Sequence, residues 1–560
     1  MINVVLFLIS ASLSQAKTLA PPGSIIPGRF IIQLDTGISP EDLAEELENE
    51  IDGFKKGHVF SSVLNGFSVE ILAETKEEIE DVLSKLKGDF RIFSIEPDRV
   101  VAIPEPVDRS GAAAGSPVIQ RSAAGGIGST ALVGQIIPNG IKRIKAYPGP
   151  GGFGINIAII DTGIALNHPD LQANIQGNVA FLNGNGIMAP GSAAGNDDNG
   201  HGTHVAGIAA AMDNGIDVVG VAPEANLWAV KVLGADGTGQ LSDVIAGINY
   251  VAENGNIHVA NMSLSIFDPF PSIGMPSPLC TAIENATAAG VTFVAAAGNW
   301  GWPWPADFFS PGNCPGVITV SAITDTDGLP GGLGPPSSFL EPDDTFAFFS
   351  NGDAAVDIAA PGVDIESTWI VGQKTISGTS MAAPHVTGAA ALYLQANPEA
   401  TPAEVKAGLI ESAFPQHGPE GFSGDPDHSH PPSPIPDPAF DEPLVNAAGA
   451  GRSGGVPPVV NVSVLATARD IRAGRDYRIK ATLLNNDTEN TINGTAFCTV
   501  LVSATVSESC GSEVSVSIPP GGRADVSFKG PSTLDVGSHQ ARVSIKGNSA
   551  PAGTVTFFIN

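Results

Sequence analysis

The chain has 560 residues and a mass of 57.1 kDa, and 42% of its residues are hydrophobic. This length and composition predict several globular domains with real cores, which excludes wholesale disorder and a collagen-like structure. The 58 acidic and 27 basic residues give a formal charge of −31, and a field of that sign repels phosphate backbones, so we expect no nucleic acid partner.

The N-terminus carries an apolar run, Val4 to Ile9, and then the small residues Ser14 and Ala16 at the −3 and −1 positions of a possible cleavage site. This pattern is typical of a secretory signal peptide, which we place at residues 1–16. The alternative is a membrane anchor, but the run is too short to span a bilayer. We therefore expect a secreted, extracellular protein without a membrane span.

Four cysteines suit an oxidising compartment, and none has the CxxC spacing of a zinc or redox site. Four cysteines allow three pairings. We favour Cys280 with Cys314 and Cys498 with Cys510, because each pair then lies inside one proposed domain.

Residues 28–103 have the pattern of a small α+β unit. Apolar runs predict strands at Phe30–Leu34, Phe67–Ile71 and Ile92–Ile95. Ser39 before a proline, and Thr75 at capping-box spacing from Glu78, predict the starts of two helices. The expected element order is βαββαβ, as in a ferredoxin-like fold.

The sequence from Pro104 to about Gly134 consists largely of Ala, Gly, Ser and Pro, which predicts a linker that a protease can enter. Beyond it, β-rich and small-residue helical segments alternate up to Ala450, the pattern of a parallel sheet covered by helices. After a second short linker, alternating runs separated by turns predict an antiparallel β-sandwich.

Three short segments place a reactive side chain where a strand or helix begins or ends. In residues 157–163, Ile-Ala-Ile-Ile-Asp-Thr-Gly, a buried strand ends at Asp161. His201 opens a helix after a glycine turn, and Ser380 stands at another helix start. We expect Pro384 in the first turn of that second helix, where a missing backbone donor costs nothing.

These residue types fit together as the parts of a nucleophilic relay. A serine hydroxyl attacks only when a base takes its proton, and a carboxylate holds that imidazole in the required tautomer. Asn299, at the end of an apolar strand, adds an amide for the oxyanion beside the backbone N–H of Ser380. Each residue alone would be an ordinary cap or turn residue, but together they satisfy nucleophile, base, orienter and oxyanion donor.

With these segments in the order Asp, His, Ser, residues from about 134 to 450 closely resemble the subtilisin-like serine proteases. Residues 231–239, Lys-Val-Leu-Gly-Ala-Asp-Gly-Thr-Gly, and residues 261–264, Asn-Met-Ser-Leu, resemble the substrate-binding edges of that family. The resemblance implies an α/β fold with a parallel sheet flanked by helices, and endopeptidase activity on protein or peptide substrates. The catalytic residues that it implies are Asp161, His201, Ser380 and Asn299.

The same resemblance implies that an extended peptide adds as a strand between two edges of the cleft. The implied substrate-binding residues are Gly237, Thr238, Gly239, Ser263, Leu264, Ser265, Ala296, Ala297 and Gly298. The last three, with Ser263 to Ser265, would form the walls of the primary pocket, which takes the side chain before the scissile bond. The family commonly has two glycines where this chain has Ser265 and Ile266, and the added bulk would narrow that pocket.

A structural calcium site is also implied. Its ligands would be the side chains of Gln135, Asp170 and Asn214 and the carbonyls of Met212, Ile216 and Val218. These are hard oxygen ligands of the kind that calcium prefers. The alternative is a polar surface loop that binds no metal.

By the same resemblance, the N-terminal α+β unit is an inhibitory propeptide whose end lies in the cleft like a product; the alternative is an independent binding domain. The expected organisation is a signal peptide (1–16), an inhibitory propeptide (17–103), a linker with the maturation region (104–133), a peptidase domain (134–450), a linker (451–458) and a C-terminal β-sandwich (459–560). We expect a monomeric enzyme made as an autoinhibited zymogen. The rival interpretation from another class is an adhesion or matrix protein that keeps the fold as a binding surface. Among enzymes, the alternatives are a peptide ligase and a processing protease of narrow specificity.

Several remaining residues have a structural and a functional interpretation. His204 and His385, about one helical turn from the catalytic residues, are expected to be packed core histidines. Three tryptophans at 300, 302 and 304 either form a hydrophobic lip on the primed side of the cleft or a loop cluster. His428 and His430 are expected to be solvated within a Pro-rich loop.

Overall fold

A computed structural model describes residues 21–104, 134–147, 151–187, 193–269, 277–301, 304–423 and 442–450, together with the backbone of eight strands beyond residue 464. Structural statements below refer to these residues. The predictions for the signal peptide, the two linkers, the histidines of the Pro-rich loop, Trp302 and the Cys498–Cys510 pair lie wholly or partly outside them.

The N-terminal unit has the element order strand, helix, strand, strand, helix, strand. Its elements are β1 (Ile25–Leu34), α1 (Pro40–Glu50), β2 (Phe54–Phe60), β3 (Gly66–Ile71), α2 (Lys76–Lys87) and β4 (Ile92–Ala102). The strands form an antiparallel sheet in the order β2-β3-β1-β4. Both predicted helix starts are confirmed: Ser39 accepts a hydrogen bond from the N–H of Asp42, and Thr75 forms a capping box with Glu78.

The central unit is built around one large sheet. Its helices are α3 (Asn139–Arg143), α4 (His201–Ala210), α5 (Leu241–Asn254), α6 (Pro278–Ala288), α7 (Thr379–Ala396), α8 (Pro402–Ser412) and α9 (Ala447–Ala450). Its strands are β5 (Asn156–Asp161), β6 (Ile175–Leu182), β7 (Asn185–Ile187), β8 (Asn226–Lys231), β9 (Thr238–Gln240), β10 (Val259–Met262), β11 (Ile266–Phe267), β12 (Thr292–Ala296), β13 (Phe309–Ser310), β14 (Ile318–Thr324), β15 (Thr345–Phe346), β16 (Ile358–Pro361), β17 (Ile365–Thr368) and β18 (Gln373–Ile376).

Seven strands of the large sheet are parallel, in the order β16-β14-β12-β10-β5-β8-β6, and β15 and β7 join it antiparallel. The central strand β5 shows why helices cover both faces. Ile157 and Ile159 pack with α4 and α7, whereas Ala158 and Ile160 pack with α5 and α6. The predicted α/β class is confirmed, and the carboxyl ends of β5, β10 and β12 meet at one edge of the sheet.

The predicted disulfide between Cys280 and Cys314 is present and ties α6 to the loop before β14. The C-terminal strands are β19 (Leu465–Ala466), β20 (Arg478–Leu484), β21 (Ile492–Ser503), β22 (Val506–Ser509), β23 (Val514–Ile518), β24 (Arg523–Lys529), β25 (Gly537–Lys546) and β26 (Gly553–Ile559). They pair antiparallel in two sheets. Across the described part of the chain, no helix is both long and apolar enough to cross a membrane.

Candidate active site

An acid and an imidazole form a buried pair at the carboxyl edge of the sheet. Nδ1 of His201 lies 2.9 Å and 3.0 Å from the two carboxylate oxygens of Asp161. Asp161 is fully buried and His201 is 2% exposed. A ring held by both oxygens has a fixed orientation and carries its proton on Nδ1, so that Nε2 is the basic atom.

The turn before α4 is shaped to present His201 at the start of the helix. Gly200 has φ 111°, a left-handed conformation that favours glycine. The carboxylate of Asp197 accepts hydrogen bonds from the N–H groups of Asn199, Gly200 and Thr203. Asp197 therefore closes the loop and caps the first turn of the helix that carries the imidazole.

Ser380 is the second residue of α7, and the expectation for Pro384 is wrong. The helix begins at Thr379, so Pro384 lies in its second turn, where a normal residue would donate to the carbonyl of Ser380. That carbonyl accepts instead from the hydroxyl of Ser263 at 2.8 Å. The missing donor is thus replaced by a side chain of the predicted substrate edge, which fixes Ser380 against β10.

The hydroxyl of Ser380 is not bonded to the imidazole in this structure. It lies 3.4 Å from the carbonyl oxygen of Ser263, a weak contact. Nε2 of His201 is buried and has no hydrogen-bond partner among the described residues. Ser380 and His201 are each 2% exposed. Hydrogen bonds between a base and a nucleophile are often long or poorly aligned until substrate binds, so we expect this one to form in the substrate complex.

The orientation of the Asn299 amide is fixed by its neighbour on α7. Its Oδ1 accepts from the N–H of Thr379 at 2.8 Å and from the Thr379 hydroxyl at 2.7 Å. The donor atom Nδ2 therefore faces the other way. A Cβ built on Gly378 would lie 3.0 Å from this Nδ2 and 3.7 Å from the N atom of Ser380, so both predicted oxyanion donors lie close to the same glycine.

The end of β4 lies between the two loops that the sequence identifies as substrate edges. Residues 100–102 pair antiparallel with β9, and the N–H of Ile103 donates to the carbonyl of Gly237 at 3.0 Å. On the other side, Ala102 and Ser265 exchange two backbone hydrogen bonds of 3.2 Å and 2.8 Å. One extended segment of the chain's own N-terminal unit therefore occupies both edges, in a β-augmentation mode.

The remaining predicted substrate residues line the same region. Leu264 is buried and packs in the same cluster as Val101. Ala297 and Gly298 are held by Asn351, whose side chain donates to the carbonyl of Ala297 and whose N–H donates to that of Gly298. The segment from Ala296 to Gly298 is thus a rigid wall beside Asn299.

His204 and His385 are fully buried, as predicted for core histidines. Burial lowers the pKa of His204 to about 3 and that of His385 to about 4. His204 bonds to the carbonyls of Ile365 and Lys374, and Nδ1 of His385 to that of Met381. Both rings are neutral and structural.

Hydrogen bonds link the residues that are predicted to bind calcium. Nε2 of Gln135 donates to the carbonyls of Met212 and Val218, and Nδ2 of Asn214 donates to Asp170. The two side-chain amides thus donate to three oxygens, those of Met212, Val218 and Asp170. Rotating each amide by half a turn would turn its own oxygen toward these three. Ile216 lies in the same loop and donates its N–H to Oδ1 of Asn214.

Asp170 is a buried carboxyl without a basic partner among the described residues. Burial raises its pKa to about 7, although the N–H of Val218 and the amide of Asn214 oppose that shift. A second group of carboxylates, Asp325, Asp327 and Asp343, has oxygens within 4.8 Å of one another after β14. The sequence reasoning missed that group, because its members are separated by a glycine-rich loop.

The residues that orient the reactive groups were also missed. Asp197, Thr379 and Asn351 hold His201, Asn299 and the pocket wall, but each reads in the sequence as an ordinary turn or helix-start residue. For Asp197 and Thr379, the only signal in the sequence is their closeness to His201 and Ser380 along the chain. For Asn351 the sequence gives no signal.

Comparison with known proteins agrees with this arrangement. A family model described as the subtilase family (peptidase S8) matches residues 152–451. Subtilisin BL of Lederbergia lenta is 40% identical over 287 residues, which cover 50% of this chain and 92% of the relative. An alkaline protease of Alkalihalobacillus alcalophilus is 35% identical over 407 residues, covering 70% of this chain and 94% of the relative.

A third relative, an extracellular serine proteinase of Thermus sp. (strain Rt41A), is 36% identical over 369 residues, covering 65% of this chain and 75% of its own. The family match spans the strand and helices that carry Asp161, His201 and Ser380, and the loop after β12 that carries Asn299. The chain therefore belongs to the subtilase family and is a subtilisin-like serine protease.

Proposed function

We propose that this protein is a secreted endopeptidase made as an autoinhibited zymogen, and that Ser380, His201, Asp161 and Asn299 carry its chemistry. The observation that carries the proposal is the buried contact between Asp161 and Nδ1 of His201, at the carboxyl edge of the sheet. In the proposal, Nε2 of His201 is the base that acts on Ser380.

In this mechanism His201 takes the proton of Ser380 as the hydroxyl attacks the scissile carbonyl, and later gives it to the leaving amine. Asp161 stabilises the imidazolium that forms between these steps, and does not itself take the proton. Water then repeats the sequence on the acyl-enzyme. A rotation of the Ser380 hydroxyl away from the carbonyl of Ser263 is required before the first proton transfer.

The oxyanion that forms in each step needs donors that are already in place. Asn299 Nδ2 and the N–H of Ser380 take this role in the proposal, supported by the closeness of both to Gly378. Because Thr379 holds Oδ1 of Asn299, no reorganisation of the amide is needed when charge develops.

The N-terminal unit acts as a ferredoxin-like inhibitory propeptide in this proposal. Support comes from its last strand, which lies along both substrate edges. Further contacts away from the cleft join the same two units: His58 lies 2.7 Å from the carboxylate of Asp243, and Ser61 donates to Glu253. We assign residues 1–16 to the signal peptide, 17–103 to the propeptide and 104–133 to the maturation region.

We assign residues 134–450 to the peptidase domain, 451–458 to a linker and 459–560 to a C-terminal β-sandwich, and we propose that the enzyme is monomeric. We also propose that a structural calcium ion is held by Gln135, Asp170, Asn214 and the carbonyls of Met212, Ile216 and Val218. The support is the convergence of oxygen atoms on two amide groups described above. Such an ion would stabilise the loop between α4 and β8 and would take no part in the chemistry.

The direct test replaces Ser380 by alanine and measures hydrolysis of an unstructured protein. In subtilisin itself, loss of the catalytic serine costs about 10⁶ in kcat, and we expect a loss of that order here. Ser338→Ala, which changes an exposed serine bonded to Asp364, is the matched control and should retain activity. A folded Ser380→Ala protein with wild-type activity would refute the assignment and favour the binding-surface interpretation.

A further inference from the structure

Two aromatic rings meet face to face beside the proposed primary pocket. The rings of Trp300 and Phe309 stack with centroids 4.1 Å apart and planes inclined by 13°. Phe309 is 3% exposed, whereas Trp300 is 39% exposed. One face of the pair is therefore buried in the protein and the other is accessible.

Trp300 extends from the pocket wall that Ala296 to Gly298 form. It directly follows Asn299, and its N–H and that of Gly301 both donate to Oδ1 of Asn351 at 3.0 Å. A Cβ built on Gly298 would lie 3.0 Å from ring atoms Cε3 and Cζ3 of Trp300. The indole thus folds back onto the wall instead of leaving it for solvent.

Phe309 lies beside the continuation of the other predicted wall, residues 263–265. Strand β13 pairs antiparallel with β11, so that Phe309 lies opposite Phe267. Strand β11 begins at the residue after Ser265, which holds the bound segment. The stack therefore joins the segment that follows residues 296–298 to a strand paired with the segment that follows residues 263–265.

The chain's own segment indicates what such a pocket accepts. Ala102 lies opposite Ser265 in an antiparallel bridge, and two further steps in the same register place Pro104 opposite Ser263. Ser263 is the residue whose carbonyl contacts the hydroxyl of Ser380. Pro104 is buried and has a short side chain, so the segment brings no large group to this position.

We propose that the Trp300–Phe309 stack closes the primary pocket and restricts it to small side chains such as alanine and serine. This inference rests on the proposed function, because the pocket receives the side chain before the scissile bond only if Ser380 is the nucleophile. A large side chain before the scissile bond would have to separate two rings that pack on each other. One of them, Phe309, is also buried in the protein interior. A small side chain fits without disturbing them.

The test uses the processed, secreted enzyme and a series of fluorogenic peptides, Val-Ala-Ile-X, that repeat residues 101–103 and differ only in X, the residue before the scissile bond. We expect kcat/KM to be at least about tenfold higher for alanine or serine than for phenylalanine or leucine. Trp300→Ala should raise kcat/KM for phenylalanine at least about tenfold.

Trp304→Ala is the matched control. Trp304 is 45% exposed and contacts the edge of Phe267, so its removal should leave the preference unchanged. If Trp300→Ala does not mature, the wild-type series and Phe309→Leu provide the same comparison.

Equal cleavage of the alanine and phenylalanine peptides by the wild type, or a preference that Trp300→Ala leaves unchanged, would overturn the inference while leaving the catalytic proposal intact. An enzyme that cleaves no peptide and does not react with a fluorophosphonate would count against the proposed function, and the inference would fail with it.

Discussion

Hydrogen bonds from neighbouring residues decide what each reactive side chain can do. Thr379 binds the oxygen of the Asn299 amide, so only the nitrogen can face a substrate. Ser263 replaces the backbone donor that Pro384 lacks, and so ties the helix of the proposed nucleophile to the predicted substrate edge. Preorganised dipoles of this kind cost nothing to align during the reaction.

Asn299→Ala should therefore lower kcat by about 10² to 10³, the range known for the equivalent loss in subtilisin, with little change in KM. Thr379→Val keeps the Asn299 amide and removes its contact with the hydroxyl, together with the hydrogen bond that the N–H of Gly298 donates to that hydroxyl. Because the backbone N–H of residue 379 still holds the amide oxygen, we expect a smaller fall in kcat. Steady-state kinetics on one peptide substrate measures both variants. A larger effect of Thr379→Val than of Asn299→Ala would contradict the assigned roles.

Among the elements, the contact between β4 and α5 couples the N-terminal unit to the cleft. Helix α5 has no side-chain cap from its own N-cap residue, Gln240. The carboxylate of Asp98 accepts instead from the N–H and the hydroxyl of Ser242, at 3.1 Å and 2.5 Å. The N-terminal unit thus supplies the cap for a helix of the central unit.

Burial raises the pKa of Asp98, hydrogen bonds from Ser242 and Arg99 oppose the rise, and Asp243 adds to it. When the N-terminal unit is separate, this carboxyl would have its ordinary pKa of about 4. The complex therefore binds a proton at Asp98 more tightly than the separate unit does. Inhibition by added propeptide should be strongest at acidic pH and should weaken as pH rises above that ordinary value. Half-buried Glu96, whose pKa burial also raises, acts in the same direction.

The inhibition constant measured across pH tests this prediction. Asp98→Asn should flatten the profile, whereas Asp81→Asn, which changes an exposed carboxylate on α2, should not. Inhibition that strengthens with rising pH, or an Asp98→Asn profile identical to the wild type, would contradict it.

Local signals predicted the elements well, and long-range packing explains what they missed. Ser39 and Thr75 cap helices through neighbours three residues away, so their positions were readable. Strand β2 was not located, because two lysines interrupt its apolar pattern. The Trp300–Phe309 stack depends on the pairing of β11 with β13, which no local pattern specifies.

The whole molecule carries a strong negative charge, and 33 of its 58 acidic residues lie in residues 104–455, against 9 basic residues. Bound cations would offset part of this charge. Asp170 and its loop lie on one side of α4, and the carboxylates Asp325, Asp327 and Asp343 follow β14. The proposed calcium site thus combines one carboxylate with amide and carbonyl oxygens, whereas the second group consists of carboxylates alone.

Removing calcium with a chelator should lower the apparent melting temperature of the mature enzyme, and calcium should restore it, because an ion bound only by the folded state stabilises that state. Asp170→Asn should remove most of this response. Asp327→Asn is the matched comparison and should leave it largely intact. If Asp327→Asn abolishes the effect of calcium on the melting temperature and Asp170→Asn retains it, the stabilising ion binds at the second group of carboxylates and our proposed site is wrong.

The central claim is that Asp161 and His201 activate Ser380 for attack. Reaction of the mature enzyme with a fluorophosphonate, followed by mass spectrometry of its peptides, tests this claim most directly. The account predicts one modified residue, Ser380, and almost no modification in a folded His201→Ala variant. A label on another serine, or equal labelling of Ser380 without the imidazole, would contradict it.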